Sequence, residues 1–190
     1  MFGITLNKTN SEERLLREVQ KGDTSAAESL YRLHVRYLSA LCSRYLTNDE
    51  DIKDVLQEAF IKIFMLIGDF EYRGTGSLRG WMARITLNET LKFLRTDSRL
   101  NFVEMDERLL DVPDSDLDTG DIPTDVLFGF VRELPEGYRT VFNLYVIDDK
   151  SHKEIAALLG IKENTSASQL FKAKAMLARK IKQYRTINSV

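Results

Sequence analysis

Apolar residues recur at helical spacing along most of the first 97 positions of the chain. After Asp23 they occupy positions 26, 27, 30, 33, 37, 38, 41, 42 and 45, which is the three-to-four-residue period of an amphipathic helix. Asp23 is predicted to cap this helix, and Asn48 to cap the next, whose apolar stripe runs from Ile52 to Ile67. A short amphipathic turn around Leu15–Val19 is predicted to precede them.

The same period continues through the rest of the chain. A fourth helix is predicted from a Ser77 cap to about Arg95, and four more over residues 123–133, 136–147, 151–159 and 163–184. No segment shows the two-residue alternation of a strand. The pattern therefore predicts an all-α protein.

Residues 98–127 differ in character from both flanks. They hold nine acidic side chains against Arg99 and Arg108, two of the three prolines and little periodicity, as is typical of a solvated linker. We therefore expect two small helical domains joined by an acidic flexible linker. The predicted boundaries are an N-terminal helical bundle over 1–97, the linker over 98–122 and a C-terminal helix-turn-helix domain over 123–190.

The net charge of −2 hides a strong segregation of charge. Residues 72–95 carry five basic side chains and one acid, and residues 128–190 carry 11 basic and six acidic ones. Residues 49–71 carry two basic and seven acidic side chains. Two basic helical segments in separate modules favour an extended polyanion as partner.

Several classes of function find no support in the sequence. The single cysteine, Cys42, excludes an internal disulfide and is predicted to be a buried apolar residue, while His34 and His152 are predicted to lie at the surface or near a helix cap. No phosphate-binding glycine loop, catalytic triad or metal-spaced cluster occurs. We expect no enzyme activity, catalytic residue, metal, cofactor or small-molecule substrate. With neither a signal peptide nor an apolar run of 18 residues, a cytoplasmic location is expected.

Residues 151–161 give the most specific local signal. Ser151 and Glu154 are spaced as a capping box, small Ala156 allows a second helix to cross closely, and Gly160 suits a left-handed turn. A helix with a small, polar start at Glu163 follows, as is typical of a recognition helix in a major groove. These features predict a DNA-binding helix-turn-helix.

In these and the following motifs the chain resembles the extracytoplasmic-function (ECF) group of bacterial RNA polymerase sigma factors, in the sigma-70 family. Asp54-Val-Leu-Gln-Glu58 resembles the helix that binds the polymerase clamp, and Trp81-Met-Ala-Arg-Ile85 with Asn88 resembles the promoter-melting helix. Leu134-Pro-Glu136 and the helix-turn-helix resemble the fourth sigma domain. The resemblance implies an initiation factor that directs core polymerase to promoters, reads the −10 and −35 elements and assists melting.

The resemblance also implies three sets of site residues. Asp54, Gln57 and Glu58 would face the polymerase clamp. The −10 region would be read by Arg73, Ser77, Arg79, Trp81, Arg84, Asn88, Lys92 and Arg95. The −35 element would be read by Glu163, Asn164, Thr165, Ser168, Gln169, Phe171, Lys172 and Lys174. For Trp81 two roles are considered, an anchor in the core and a contact with a base. For Phe171 they are packing in the core and contact with a thymine methyl group.

The implied partners are promoter DNA, the clamp and flap regions of core RNA polymerase, and an anti-sigma protein of the kind that is often membrane-bound. The linker either connects the modules without binding or threads through the polymerase near the template strand and the RNA exit path. A free-standing helix-turn-helix regulator is the alternative function, because its C-terminal pattern would look the same.

Overall fold

A computed structural model of the chain describes residues 3–96, 119–120 and 122–188. Within these residues all regular secondary structure is helical, which confirms the all-α prediction. A 3₁₀ turn, Ile67–Asp69, and a π-helical turn, Asn143–Ile147, accompany eight α-helices of this described part. The α-helices are α1 (Gly3–Gln20), α2 (Thr24–Cys42), α3 (Asp49–Leu66), α4 (Ser77–Thr96), α5 (Thr124–Arg132), α6 (Glu136–Phe142), α7 (His152–Leu159) and α8 (Glu163–Asn188).

The chain divides into two compact units, Met1–Phe93 and Leu94–Val190. The division falls within the last turns of α4. Apart from residues 119, 120 and 122, the predicted linker over 98–122 lies outside the described residues. The domain boundaries given above, and the flexibility of the linker, therefore stay predictions.

Side-chain caps start α2 and α3 where the sequence places them. Asp23 Oδ1 accepts hydrogen bonds from the Ser25 and Ala26 amides at 2.8 and 3.1 Å. It also accepts one from the Ser25 hydroxyl at 2.8 Å, and this bond, followed by those of the two amides, lowers the pKa of the Asp23 carboxyl. Asn48 accepts in the same way at the start of α3. Helix α1 begins well before the predicted short turn, because residues 4–14 contain no glycine or proline to stop it.

The core of the N-terminal unit is built from the apolar stripes of its helices. Leu30 and Leu38 of α2, Ile63 of α3 and Met82 of α4 are fully buried. Cys42 is buried as predicted, and its Sγ lies 3.5 Å from Thr90 Oγ1. Burial raises the pKa of the Cys42 thiol, so this side chain acts as a small apolar residue.

His34 corrects the prediction of a surface or cap position, because it is only 4% exposed. It follows the apolar period of α2, at four residues from both Leu30 and Leu38, and so faces the core. The Nε2 atom of His34 has no hydrogen-bond partner among the described residues. Burial is the main cause of the lowered pKa of the His34 imidazole, which keeps the ring neutral.

A buried arginine holds the end of α5 in the C-terminal unit. Arg139 is 3% exposed, and its Nη1 donates to the carbonyls of Arg132 and Leu134, at 3.0 Å each. The Arg132 carbonyl is one of those that a helix leaves without an internal partner at its C-terminal end, and Leu134 lies in the turn that follows. Burial lowers the pKa of the Arg139 guanidinium. The group stays charged because the ordinary pKa of arginine lies far above neutral pH.

The predicted helix over 136–147 is interrupted in the structure. After Phe142 the backbone hydrogen bonds join residues that are five positions apart instead of four, and the Asp148 amide donates to the Asn143 carbonyl at 3.0 Å. A wider turn of this kind rotates the side chains that follow it. Near the end of the chain, α8 continues to Asn188, four residues beyond its predicted end.

Candidate nucleic-acid interface

Helix α4 carries a row of exposed basic and polar side chains. Arg84, Asn88, Lys92 and Arg95 are all exposed and follow one another at steps of three and four residues, so they lie along one face. Lys92 Nζ lies 3.9 Å from the carboxylate of Glu89, and 61% of the lysine side chain is exposed. The structure therefore brings together the four residues that the sequence placed on this face.

The loop before α4 is shaped by two glycines. Gly74 and Gly76 have φ of 104° and 86°, the left-handed region that suits glycine. Ser77 corrects the prediction of a cap, because it is the first residue of the helix. Its hydroxyl instead donates to the Gly74 carbonyl at 2.7 Å and accepts from the Arg73 amide at 3.2 Å. The Arg73 side chain is 80% exposed and pairs with Glu71 at 3.5 Å.

Two aromatic contacts hold the start of α4. The Arg79 guanidinium lies over the Tyr37 ring at 5.1 Å, and the Trp81 ring packs on Phe70 with 4.8 Å between centroids. Arg79 is exposed, whereas Trp81 is half-buried. The contact with Phe70 favours the anchor interpretation of Trp81.

Helix α3 presents the opposite charge. Asp54, Gln57 and Glu58 are all exposed, and Asp49, Glu50 and Asp51 occupy the first turn of the helix. A groove with apolar walls lies beside this face, between α2 and α3. It is lined by Tyr31, Val35, Arg36, Ser39, Ala40, Lys53, Leu56, Gln57, Phe60, Ile61 and Phe64.

An ion pair that the sequence did not reveal joins α3 to α4. Lys62 Nζ lies 2.5 Å from Glu89 Oε1, and the Glu89 side chain is only 8% exposed. The signal available in the sequence was a lone acid at position 89 among the basic residues of α4. Its burial could not be seen because the position is set by how the two helices pack.

The helix-turn-helix forms as predicted. The Ser151 hydroxyl accepts from the Glu154 amide, and the Ser151 amide donates to the Glu154 carboxylate at 2.9 Å, which completes the capping box. The bond from the Ser151 amide, and after it a bond from the Ser151 hydroxyl to Glu154 Oε2 at 2.8 Å, lower the pKa of the Glu154 carboxyl. Gly160 ends α7 with φ of 69°.

Helix α8 exposes some of the predicted recognition residues and buries one. Glu163, Asn164 and Ser168 are exposed, and the half-buried candidates are Thr165, Phe171, Lys172 and Lys174. Gln169, which the sequence places among the base-contacting candidates, is only 3% exposed, so its side chain does not face solvent with the others. It lies next to Leu170 and four residues before Ala173, on the side of α8 that packs inward.

Ser166 is a residue of this site that the sequence did not single out. It is fully buried, and its hydroxyl oxygen lies 2.9 Å from His152 Nδ1. His152 is the first residue of α7, as its predicted place near a cap implies. A small polar residue inside an apolar stripe is the only trace of this contact in the sequence.

Two family descriptions match this chain, and together they cover more than half of it. Sigma-70 region 2 matches residues 30–100, which include α3 and α4, and Sigma-70, region 4 matches residues 129–177, which include α6 and α7. The chain belongs to the sigma-70 family.

Characterised relatives resemble this sigma factor over most of its length. The ECF RNA polymerase sigma-E factors of Haemophilus influenzae and Escherichia coli K12 are each 27% identical over 184 residues. The match covers 90% of this chain in both cases, and 95% and 94% of the two relatives. Among solved structures, CnrH in complex with the cytosolic domain of CnrY matches with a TM-score of 0.46 and 22% identity, covering 89% of this chain and 96% of that one.

The sigma factor acts in promoter-specific initiation, with core RNA polymerase and promoter DNA as partners. The alternative of a free-standing regulator is set aside, because the N-terminal half matches Sigma-70 region 2. In the described part of the chain, no helix has the length and apolar character needed to cross a membrane. Across the same residues, no three His, Cys, Asp or Glu side chains are grouped as metal ligands.

Proposed function

We propose that this sigma factor reads two promoter elements with separate modules and binds core polymerase with a third surface. The observation that carries the proposal is the opposite charge of the exposed faces of α3 and α4 within one unit. Acids repel the phosphate backbone and cations attract it, so only the α4 face suits DNA. The α3 face suits a protein.

The −10 element is assigned to α4 and the loop before it. Arg73 and Arg79 are exposed at its entry, and the row from Arg84 to Arg95 continues along the helix. Cations at this spacing can follow a phosphate backbone while bases are drawn out of the duplex. Ser77 acts here through the loop, because its hydroxyl closes the turn that Gly74 and Gly76 allow. Trp81 holds the start of the helix against Phe70.

The −35 element is assigned to the first turns of α8. Glu163, Asn164 and Ser168 offer exposed acceptors and donors to base edges, and Thr165 lies between them. Lys172 and Lys174 are assigned to phosphates, and half-buried Phe171 is assigned to the core side of the helix. Gln169 is not part of this assignment because it is buried.

Core polymerase is assigned to the exposed face of α3 through its clamp, and to the C-terminal unit through its flap. Asp54, Gln57 and Glu58 lie one helical turn apart at most, on the side of α3 that the core leaves free. The family resemblance supplies the names of the two polymerase regions. The charge and exposure of α3 support the first of them.

A regulatory anti-sigma protein is assigned to the groove between α2 and α3. Tyr31 and Ile61 are 43% and 45% exposed at this groove, and Gln57 contributes to both the groove and the polymerase face. A protein helix in the groove would therefore compete with the polymerase. The family resemblance supplies the class of this partner.

Run-off transcription with core RNA polymerase and full-length variants tests the partition. Lys172→Ala is expected to weaken promoter binding on all sequences and to reduce the salt slope of binding by about one unit. Gln57→Ala and Glu58→Ala are expected to weaken the affinity for core polymerase and to leave the salt slope unchanged. Arg14→Ala, at an exposed residue of α1 outside the three assigned surfaces, is the control and is expected to match wild type in both affinities.

Two results would contradict the proposal. No transcript above that of core enzyme alone would refute promoter-specific initiation by this chain on the promoters tested. Equal effects of the Lys172 and Gln57 variants on both affinities would refute the division into DNA and polymerase surfaces.

A further inference from the structure

His152 contacts two elements on either side of it in the helix-turn-helix. Its ring stacks on that of Tyr145, with 4.7 Å between the centroids and 26° between the planes. Its Nδ1 lies 2.9 Å from the hydroxyl oxygen of Ser166. The imidazole therefore joins the π-helical turn before α7 to the first turns of α8.

The π-helical turn places Tyr145 for this contact. The chain leaves the turn through two further hydrogen bonds, from the Asp148 amide to the Asn143 carbonyl and from the Lys150 amide to the Leu144 carbonyl at 2.9 Å. Asp149 between them has φ of 50°, a left-handed conformation that is uncommon outside glycine. Local strain and π-turns of this kind concentrate at functional sites.

Ser166 gives the contact its energetic weight. The residue is fully buried, and a buried hydroxyl without a partner costs free energy that a hydrogen bond to His152 removes. A rotation of α8 about its axis, or a slide along it, would break this bond. The bond thus favours one orientation of α8 against α7.

The restrained turn is the one that carries the proposed base contacts. Ser166 lies between Thr165 and Ser168, three residues into α8. Contacts to base edges depend on distance and direction, whereas a lysine reaches a phosphate over a range of positions. A small movement of α8 would therefore cost sequence discrimination more than it costs affinity.

We propose that His152 is a positioning residue for −35 recognition, which fixes α8 through Ser166 on one side and Tyr145 on the other. The proposal rests on the assignment of α8 to the −35 element. It gives a role in specificity to a residue that does not itself touch a base.

The test is in vitro transcription by full-length sigma factor with core RNA polymerase, on a promoter library randomised at both the −35 and −10 positions. His152→Phe keeps a flat ring for Tyr145 and removes Nδ1, and Ser166→Ala removes the other end of the bond. Thr186→Ala is the matched control, because its hydroxyl donates only within the far end of α8, to the Lys182 carbonyl. Thermal unfolding of each variant checks that it is folded at the assay temperature.

Both variants are expected to flatten the sequence enrichment at −35 by about three- to tenfold, the scale of one hydrogen bond. The enrichment at −10 and the salt slope are expected to match those of wild type, and Thr186→Ala to match wild type throughout. The double variant should lose no more −35 enrichment than the more impaired of the two single variants, because both substitutions remove the same bond.

Unchanged −35 enrichment in Ser166→Ala, with the protein folded, would overturn the positioning role even if His152→Phe failed to fold. An equal loss at −35 and −10 would show a general defect and would also overturn it. A wild-type protein that enriches −10 alone would instead refute the assignment of α8 to the −35 element, so the two failures are distinguishable.

Discussion

Lys62 of α3 and Glu89 of α4 form an ion pair that links the helix assigned to polymerase with the helix assigned to DNA. The pair is asymmetric, because 43% of the Lys62 side chain is exposed and only 8% of that of Glu89. The lysine side chain can rotate into the solvent if its partner is lost. The carboxylate cannot, and its other neighbour, Lys92, is 3.9 Å away.

This asymmetry predicts that Lys62→Met destabilises the protein more than Glu89→Gln does. Removing the lysine leaves a buried carboxylate with one distant cation, which is expected to cost about 1–3 kcal/mol in the free energy of unfolding. Removing the charge of Glu89 leaves only a solvated lysine. Urea denaturation of each variant gives the comparison.

Lys53→Met is the control for this pair. Lys53 bonds to Glu50 at 2.7 Å, but both side chains are mostly exposed. A change within about 0.5 kcal/mol is expected there. Equal losses from Lys53→Met and Lys62→Met would mean that burial of Glu89 has no energetic consequence.

The turn of the helix-turn-helix makes a prediction about backbone conformation. Gly160 has φ of 69°, and an alanine there is expected to cost about 1–2 kcal/mol because of its Cβ. Gly129, inside α5, has open space where a Cβ would point, so Gly129→Ala should stabilise by about 0.5–1 kcal/mol. Thermal unfolding would contradict this account if both substitutions changed the midpoint in the same direction.

The buried imidazole of His34 predicts a dependence of stability on pH. Burial lowers the pKa of the His34 imidazole in the folded protein below the ordinary value of 6.5. The negative charge of Glu12 acts against this shift, and the positive charge of Arg79 acts in the same direction. The unfolded chain therefore binds more protons as the pH falls below about 6.5, and stability declines until the pH passes the folded pKa. Above this pH range His34 is neutral in both the folded and the unfolded chain, so it no longer makes stability depend on pH.

The prediction is tested with His34→Met, measured by urea denaturation between pH 8 and pH 5. The difference in stability between wild type and variant should shift in favour of the variant below about pH 6.5, by at most about 1.4 kcal/mol per pH unit. Carboxylates titrate alike in both proteins and cancel in the difference. A constant difference across the range would refute the neutral, buried state of His34.

Gln169 gives a prediction that separates burial from recognition. Its Oε1 has no hydrogen-bond partner among the described residues, so Gln169→Met should remove an unsatisfied polar atom. Stability is expected to stay equal or rise by about 1 kcal/mol, with −35 enrichment unchanged. Asn164→Ala, at an exposed position of the same helix, should alter that enrichment; a loss in Gln169→Met instead would restore Gln169 to the recognition surface.

Much of the architecture follows from local patterns. Asp23, Asn48, Ser151 and Gly160 predicted helix ends correctly, because a cap depends on a few neighbouring residues. The exposed acids of α3 and cations of α4 were also predictable, since a residue outside an apolar stripe faces water. The missed π-turn in 143–147 was not, because it differs from an α-helix by one step in hydrogen bonding.

By itself, then, the sequence determined the helices, their exposed charges and the family motifs, which are all written within a few turns of chain. Only the tertiary structure decided which polar side chains lie inside. Glu89, Ser166 and Gln169 look like surface residues in a linear pattern, and His34 was expected near the surface. Glu89 is buried beside Lys62 of α3 and Ser166 beside His152 of α7, and the choice of these partner helices depends on contacts between residues distant in the sequence.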